Sequence, residues 1–338
     1  MATYRDAGVD LEAADQIVDR IRPAVTKTWH PGVVGGFGGF AAGISIPTGY
    51  TDPVLMMSTD GVGTKAELAR RWDRVDGLGW DLVAMCVDDL VAAGALPIAM
   101  TDYLAIGRLD LDRTERIIRS VAAACSEIGI ALLGGETAEH PGVLDDDQFD
   151  VAGTALGIVE RGAEIDGSLI LKGDSIVGVA SPNLRANGFS LVRAAVGEAV
   201  APDTEVAPTG QSAQEALLAP SLLYAPAVLT VLNEVPVHGL AHITGGGLPG
   251  NVGRILSAEQ DAVLERRAWP TPAVFDWLRI MGEIPDEEMF RTFNMGVGFA
   301  VVVDPSDATA TVDLLAAAGA EAWPIGRIVS GDGSVIID

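Results

Sequence analysis

The tightest constraint on the fold is the way short apolar runs break off at glycines and acids. Pro53 to Thr59 (PVLMMST) stops at Asp60-Gly61-Val62-Gly63-Thr64-Lys65, and Leu132-Leu133 runs into Gly134-Gly135-Glu136. In the second half SIVGVAS is followed by Pro182 to Gly188 (PNLRANG), and GLAHIT by Gly245-Gly246-Gly247. Such runs, bounded by turn residues, read as strands, and stretches such as AELARRW and FSLVRAAV after them carry helical spacing. Strands and helices therefore alternate. This permits either a doubly wound parallel sheet or mixed sheets backed by helices, which periodicity does not separate.

The chain is 338 residues long, with 49% hydrophobic and 20% charged residues. That is enough for two packed cores. Polar turns around Ile165 to Gly173 mark the expected change of core, giving domains over 1–165 and 166–338. The formal charge of −25 opposes general binding to nucleic acid or to an anionic membrane. Lysine is confined to Lys27, Lys65 and Lys172, so a lysine inside a motif is informative. Cys86 and Cys125 form no metal-binding spacing, and the N-terminus has no signal-peptide pattern, so a cytoplasmic setting is expected. Pro31 to Thr51 is uncharged, but its seven glycines and two prolines oppose a membrane helix and predict a long loop.

Several groups carry potential chemistry. In Asp60 to Lys65, glycines let backbone amides approach an anion, Lys65 adds positive charge and Asp60 can hold a hard cation. A plain turn capped by Thr64 is the competing reading. Within the apolar helix WDLVAMCVDDLVAA, Asp89 shares a stripe with Leu82 and Cys86. It then needs a partner, unless the helix end emerges into water. Glu136 follows the third acidic strand end. Magnesium takes one or two carboxylates beside substrate phosphates, so convergence of Asp60, Asp89 and Glu136 would suit nucleotide chemistry. Arg185 and Asn187 stand before a helix start, where a phosphate can dock. His242, before Thr244 and the triple glycine, reads as a core or rim histidine or as a base. Gly36 to Ala41 fits GxGxxA formally, without the strand and helix that motif needs. Cys86 reads as a small buried hydrophobe and Asp145 to Asp147 as a solvated turn.

Taken together, the motifs resemble the aminoimidazole ribonucleotide synthetases, or phosphoribosylformylglycinamidine cyclo-ligases. The resemblance runs in order from YRDAGVD through STDGVGTK, DLVAMCVDDLV, GGETAEHPG, NGFSLVR and HITGGGLPGN to RTFNMGVG, covering nearly the whole chain. It implies a two-domain α+β fold. The N-terminal mixed sheet would form a barrel across a homodimer with ATP near that interface, and the C-terminal sheet would be helix-backed. It implies ATP-dependent ring closure of formylglycinamidine ribonucleotide in purine biosynthesis, with Mg2+; the negative formal charge adds the expectation of no nucleic-acid or membrane partner. By the same resemblance Asp60, Asp89 and Glu136 are the metal residues. Arg22, Gly61, Gly63, Thr64, Lys65, Glu136 and Thr137 surround the nucleotide, and Arg185, Asn187, Thr244 and Asn294 lie near substrate. His242, Lys65 and Asp60 are the catalytic candidates. One departure is Arg185, where many family members have histidine. Selenophosphate synthetase and hydrogenase-maturation relatives are disfavoured for want of a suitably placed cysteine. A kinase such as thiamine-phosphate kinase, or an idle nucleotide-binding subunit, are the alternatives.

Overall fold

The Asp10 carboxylate accepts the amides of Glu12 and Ala13 and so starts helix α1 (Leu11–Lys27), an N-cap that satisfies donors the helix itself leaves open. The computed structural model describes residues 3–338. Contacts divide the chain into two units: residues up to Leu90 together with Leu96–Arg161, and Val91–Ala95 together with Gly162–Asp338.

In the first unit α1 is followed by β1 (Pro53–Gly61), α2 (Lys65–Arg71), α3 (Leu78–Ala92), β2 (Leu96–Ile106), α4 (Leu111–Ile128), β3 (Ala131–Glu139) and β4 (Phe149–Glu160). The strands lie in the order β1-β4-β2-β3. β4 is antiparallel to β1 and β2, while β2 and β3 are parallel, so the sheet is mixed. One register row joins Asp60, Gly153, Asp102 and Gly135 across all four strands.

Side chains alternate between the two faces of a sheet. Leu104, Ile106, Val151 and Ala155 are buried on the face that the helices cover. The opposite face leaves Leu55, Met57 and Tyr103 exposed. Helix α3 is apolar almost all round, and Leu82, Val83, Ala84, Cys86 and Val87 are fully buried, as expected of an enclosed helix. It crosses α4 so closely that a Cβ on Gly79 would stand 2.1 Å from the Val121 nitrogen.

Two strands run further than their apolar letters suggest. β1 continues through Asp60 and Gly61 because both keep their pairing with β4. β3 continues through Gly134 to Glu139 because these residues pair with β2; Glu136 therefore sits within a strand rather than in the turn after it. The expected loop at 31–51 contains a short ribbon, Val33–Val34 against Gly43–Ile44.

The second unit contains β5 (Ser175–Ala180), α5 (Phe189–Val196), α6 (Ala213–Leu217), α7 (Ala225–Glu234), β6 (Val237–His242), α8 (Gly247–Val252), β7 (Gln260–Leu264), α9 (Ala273–Met281), α10 (Asp286–Thr292), β8 (Val297–Val303), α11 (Ala308–Ala317), β9 (Ala322–Ser330) and β10 (Val335–Ile337). Its sheet runs β6-β8-β5-β9-β7-β10, antiparallel except where β7 meets β10. β8, next to the edge, is buried along its whole length, and α11 packs on β5, β9 and α7. Both units are thus mixed α and β, with helices backing sheets. Among the described residues no helix is long and apolar enough to cross a membrane.

Candidate active site

At the end of β1, the Asp60 carboxylate accepts the Gly61 amide at 2.7 Å and Asp60 is exposed. Gly63 turns with φ +65°, a left-handed conformation that glycine adopts without strain. Gly63 and Thr64 are exposed, and the Thr64 side chain makes no capping bond to α2. The turn therefore presents backbone and hydroxyl groups outward.

Lys65 departs from its expected place beside phosphate. Its ammonium is 2.7 Å from the Asp81 carboxylate, with both side chains withdrawn from solvent. α2 begins at Lys65 and turns that side chain inward, toward the first turn of α3, so the one lysine in the motif anchors the turn from behind.

Asp89 also differs from expectation. It is exposed, whereas the neighbouring Asp88 is fully buried; the buried stripe of α3 carries Asp88 instead. The Ser58 hydroxyl donates to Asp89 Oδ2 at 3.3 Å. Burial pushes the Cys86 thiol up to about 12, and the charges of Asp60 and Asp89 raise it further. These two carboxylates thus flank one thiol at the junction of β1 and α3.

Glu136 does not join them. The β1-β4-β2-β3 order places it three strand spacings from Asp60, about 14 Å at the usual separation. Alternation also puts it with Tyr103, its partner in register, on the open face. Among the described residues no three His, Cys, Asp or Glu side chains form a metal-holding cluster. The expected three-carboxylate centre is therefore not formed, and Asp60 with Asp89 is the pair that the fold brings together.

The first unit also holds a cavity of about 860 Å³, walled by α1, residues 36–42 and residues 132–139 of β3. Glu136 and Thr137 line it. Arg22 is exposed outside it; its guanidinium lies 4.5 Å from the centre of the Phe37 ring and 2.9 Å from Asp19. Asp102, which the sequence reading missed, lies in the wall. Burial raises its carboxyl from the ordinary value to about 7. The signal was present in the sequence as an acid within the apolar run IAMTDYLAI.

In the second unit His242 ends β6. It is 5% exposed and stacks on Phe299 with ring centres 6.0 Å apart. The Thr244 hydroxyl bonds Asn251 Oδ1 at 3.2 Å, and Asn251 Nδ2 donates to the Thr244, Gly245 and Gly247 carbonyls. This fastening holds the glycine turn. Gly247 has φ +60°, and a Cβ there would lie 1.9 Å from the Phe290 oxygen. Half-buried Asn187 is close by, since a Cβ on Gly245 would meet its Oδ1 at 3.9 Å. Asn187, Thr244 and the glycine turn are thus gathered in one place.

Two expected substrate residues are elsewhere. Arg185 is fully buried. Its guanidinium lies over the Tyr224 ring at 4.5 Å and donates to the Gly298 and Leu222 carbonyls, each at 3.3 Å. Asn294, 4% exposed, donates to the Asn183 carbonyl at 3.0 Å and accepts the Gly296 amide at 2.9 Å. Both side chains hold the core and its turns together rather than presenting polar groups to a ligand.

With a mixed sheet and a glycine and carboxylate turn in one unit, and a helix-backed, largely antiparallel sheet in the other, the chain falls in the class of AIR synthase related proteins. Residues 41–159 match the N-terminal domain family of that description and residues 172–338 its C-terminal domain family. The chain belongs to the phosphoribosylformylglycinamidine cyclo-ligase family. It is 46% identical to the cyclo-ligase of Burkholderia multivorans over 326 residues, covering 96% of this chain and 93% of that protein. The Paraburkholderia xenovorans cyclo-ligase is likewise 46% identical, over 96% of this chain and 92% of its own length. Among solved structures, hydrogenase maturation protein HypE in complex with ATP aligns with a TM-score of 0.69 at 19% identity, over 94% of this chain and 90% of that one. Thiamine-monophosphate kinase from Stenotrophomonas maltophilia K279a aligns with a TM-score of 0.64 at 21% identity, over 95% of both chains. These two likenesses concern the fold.

Proposed function

We propose that this chain closes the imidazole ring of 5-aminoimidazole ribonucleotide from formylglycinamidine ribonucleotide, at the expense of ATP. The observation that carries the reading is the 46% identity to named cyclo-ligases over 96% of the chain. In this chemistry the γ-phosphoryl group of ATP passes to the formyl oxygen of the substrate. The amidine nitrogen then attacks that carbon, the C–O bond breaks, and phosphate leaves with ADP and the closed ring as the other products. Phosphorylation is needed because an amide oxygen is otherwise a poor leaving group.

The first unit serves as the nucleotide-binding domain in this reading. Asp60 and Asp89 suit Mg2+, since magnesium takes one or two carboxylates and completes its shell with water and phosphate oxygens. When bound there, the ion supplies charge neutralisation to the transferring phosphoryl group. The outward backbone of Gly61 and Gly63 and the Thr64 hydroxyl are placed for phosphate oxygens, while Lys65 and Asp81 hold the turn. Glu136 and Thr137 border the cavity that takes part of the nucleotide in this reading. In the second unit Asn187 and Thr244 are the substrate side chains, and His242 assists proton transfer from the amidine nitrogen. Arg185 and Asn294 support that site from within the core.

The open sheet face supports a homodimer. Leu55, Met57 and Tyr103 are 52%, 70% and 42% exposed on adjoining strands, and a second copy would cover them. Glu136 shares this face and would then stand near the interface. Two buried, unbridged cysteines agree with a reducing, cytoplasmic setting. The test is incubation of purified protein with ATP, Mg2+ and formylglycinamidine ribonucleotide, following the aminoimidazole product by its diazo colour. ATP-dependent colour is the expected result. Phosphorylation of thiamine phosphate without ring closure would overturn the reading.

A further inference from the structure

The cavity in the first unit has an unusual balance of walls. Apolar groups such as Ile17, Ile21, Phe37 and Leu132 share it with Asp15, Asp102, Glu136 and Glu139, and no lysine, arginine or histidine stands among its lining residues. A bare triphosphate would meet only negative charge there, whereas an uncharged, flat and partly polar group would find apolar surface with a few acceptors. The acceptors are not equivalent. Glu139 is already committed, accepting the Leu109 amide at 2.9 Å and the Asp10 amide at 3.2 Å. Asp15 is exposed at the rim on α1.

Asp102 stands apart because it projects from β2, an interior strand of the sheet. Its Oδ1 fills the space over Gly135, where a Cβ would come within 2.0 Å. Glycine at position 135 is therefore what makes room for the carboxyl group. Among the described residues its own backbone amide is its only hydrogen-bond partner. Half-buried in the cavity wall, the carboxylate has lost part of its water with no side-chain partner in return, which is costly. Burial accordingly raises its titration to about 7, a perturbation of the kind that collects at binding sites.

We infer that the cavity receives the nucleoside half of the nucleotide and that Asp102 recognises it by accepting a hydrogen bond from a neutral donor, an exocyclic amine or a ribose hydroxyl. The inference rests on the ATP reading above and adds the residue that selects among nucleotides. A donor from the ligand supplies the partner that the fold withholds, so ligands lacking it leave the carboxylate unpaired in the bound state. Discrimination of this kind is large, because the penalty falls on the buried group of the site.

The test is calorimetric titration of the full chain with Mg-ATP, purine riboside triphosphate, 2′-deoxy-ATP, 3′-deoxy-ATP and inorganic tripolyphosphate, repeated with Asp102→Ala. Wild-type protein is expected to bind one analogue at least tenfold more weakly than ATP. Purine riboside triphosphate being the weak one identifies the amine, and a deoxy analogue identifies the hydroxyl. The variant is expected to lose at least tenfold for ATP, to leave that analogue unchanged and to leave tripolyphosphate unchanged. Equal binding of all the analogues by wild type, unchanged ATP affinity in the variant, or equal loss for ATP and tripolyphosphate would overturn the inference. No binding of ATP by wild type would overturn the nucleotide reading with it. Should the variant fail to fold, the wild-type analogue series alone decides.

Discussion

The Lys65 ammonium and the Asp81 carboxylate meet at 2.7 Å in the interior of the first unit, their side chains 1% and 0% exposed. Removing one partner from such a pair strands a charge in a medium that solvates it poorly. Lys65→Met and Asp81→Leu are each expected to lower stability by about 3–5 kcal/mol, whereas the double variant recovers most of the loss. Urea unfolding of the four proteins measures this. A lysine contributing only through phosphate would leave stability without ligand nearly unchanged in Lys65→Met.

Arg185 makes a similar point in the second unit. Its planar group covers Tyr224 and reaches two carbonyls at once, a geometry that a lysine ammonium does not reproduce. Arg185→Lys is expected to lose on the order of 2 kcal/mol of stability, read as an earlier urea midpoint. Once folded, the variant should keep the KM of the wild type for the ribonucleotide substrate. A large rise in KM with unchanged stability would return Arg185 to the substrate.

These two residues also show where sequence reading reached its limit. The strand and helix alternation, the burial of α3 and the glycine turns were legible because they are local in the chain. Lys65 and Arg185 were seen as cations near glycine turns, yet the direction of a long side chain depends on what packs behind it. Asp81 and Tyr224 lie 16 and 39 positions away along the chain. The choice between Asp88 and Asp89 turned on a rotation of one residue about α3, 100° on a helix with about 3.6 residues per turn. The failure of Glu136 to join Asp60 came from strand order, which periodicity does not encode. Asp102 was overlooked because an acid in a strand carries no motif, although an acid in an apolar run is itself a signal.

His242 is the proton-transfer candidate of the proposed reaction, and in the structure it packs on Phe299. His242→Gln keeps much of the volume and a hydrogen-bonding end while removing the titratable ring. The expected result is a fall in kcat by about 10²–10⁴ with a melting temperature close to wild type. Comparable losses of stability and turnover would mark the histidine as a packing residue.

Both cysteines are enclosed. Burial pushes Cys86 up to about 12 and raises Cys125 as well. Reactivity follows the thiolate, so at pH 8 the native protein should leave both thiols unmodified by an aromatic disulfide reagent over minutes. Denatured protein should release two equivalents at once. Fast labelling of one native thiol would show that its surroundings open.

Asp102 gives the unliganded protein a defined pH response. Its carboxyl titrates near 3.8 when unshifted and at about 7 in the fold, so between those values the native state holds a proton that the unfolded state has released. Stability then declines with rising pH across this window, because the native state binds more protons than the unfolded one. Below about 4 both states are protonated and the group is neutral in its effect; above about 7 the destabilisation is complete. Asp102→Asn, which stays uncharged, should therefore raise the melting temperature at pH 8 and leave it near that of wild type at pH 4. The difference should grow between those limits, in the direction opposite to that of a salt-bridged aspartate. Thermal melts at four or five pH values, without nucleotide, measure the slope, and an equal effect of the substitution at pH 4 and pH 8 would count against a protonated Asp102.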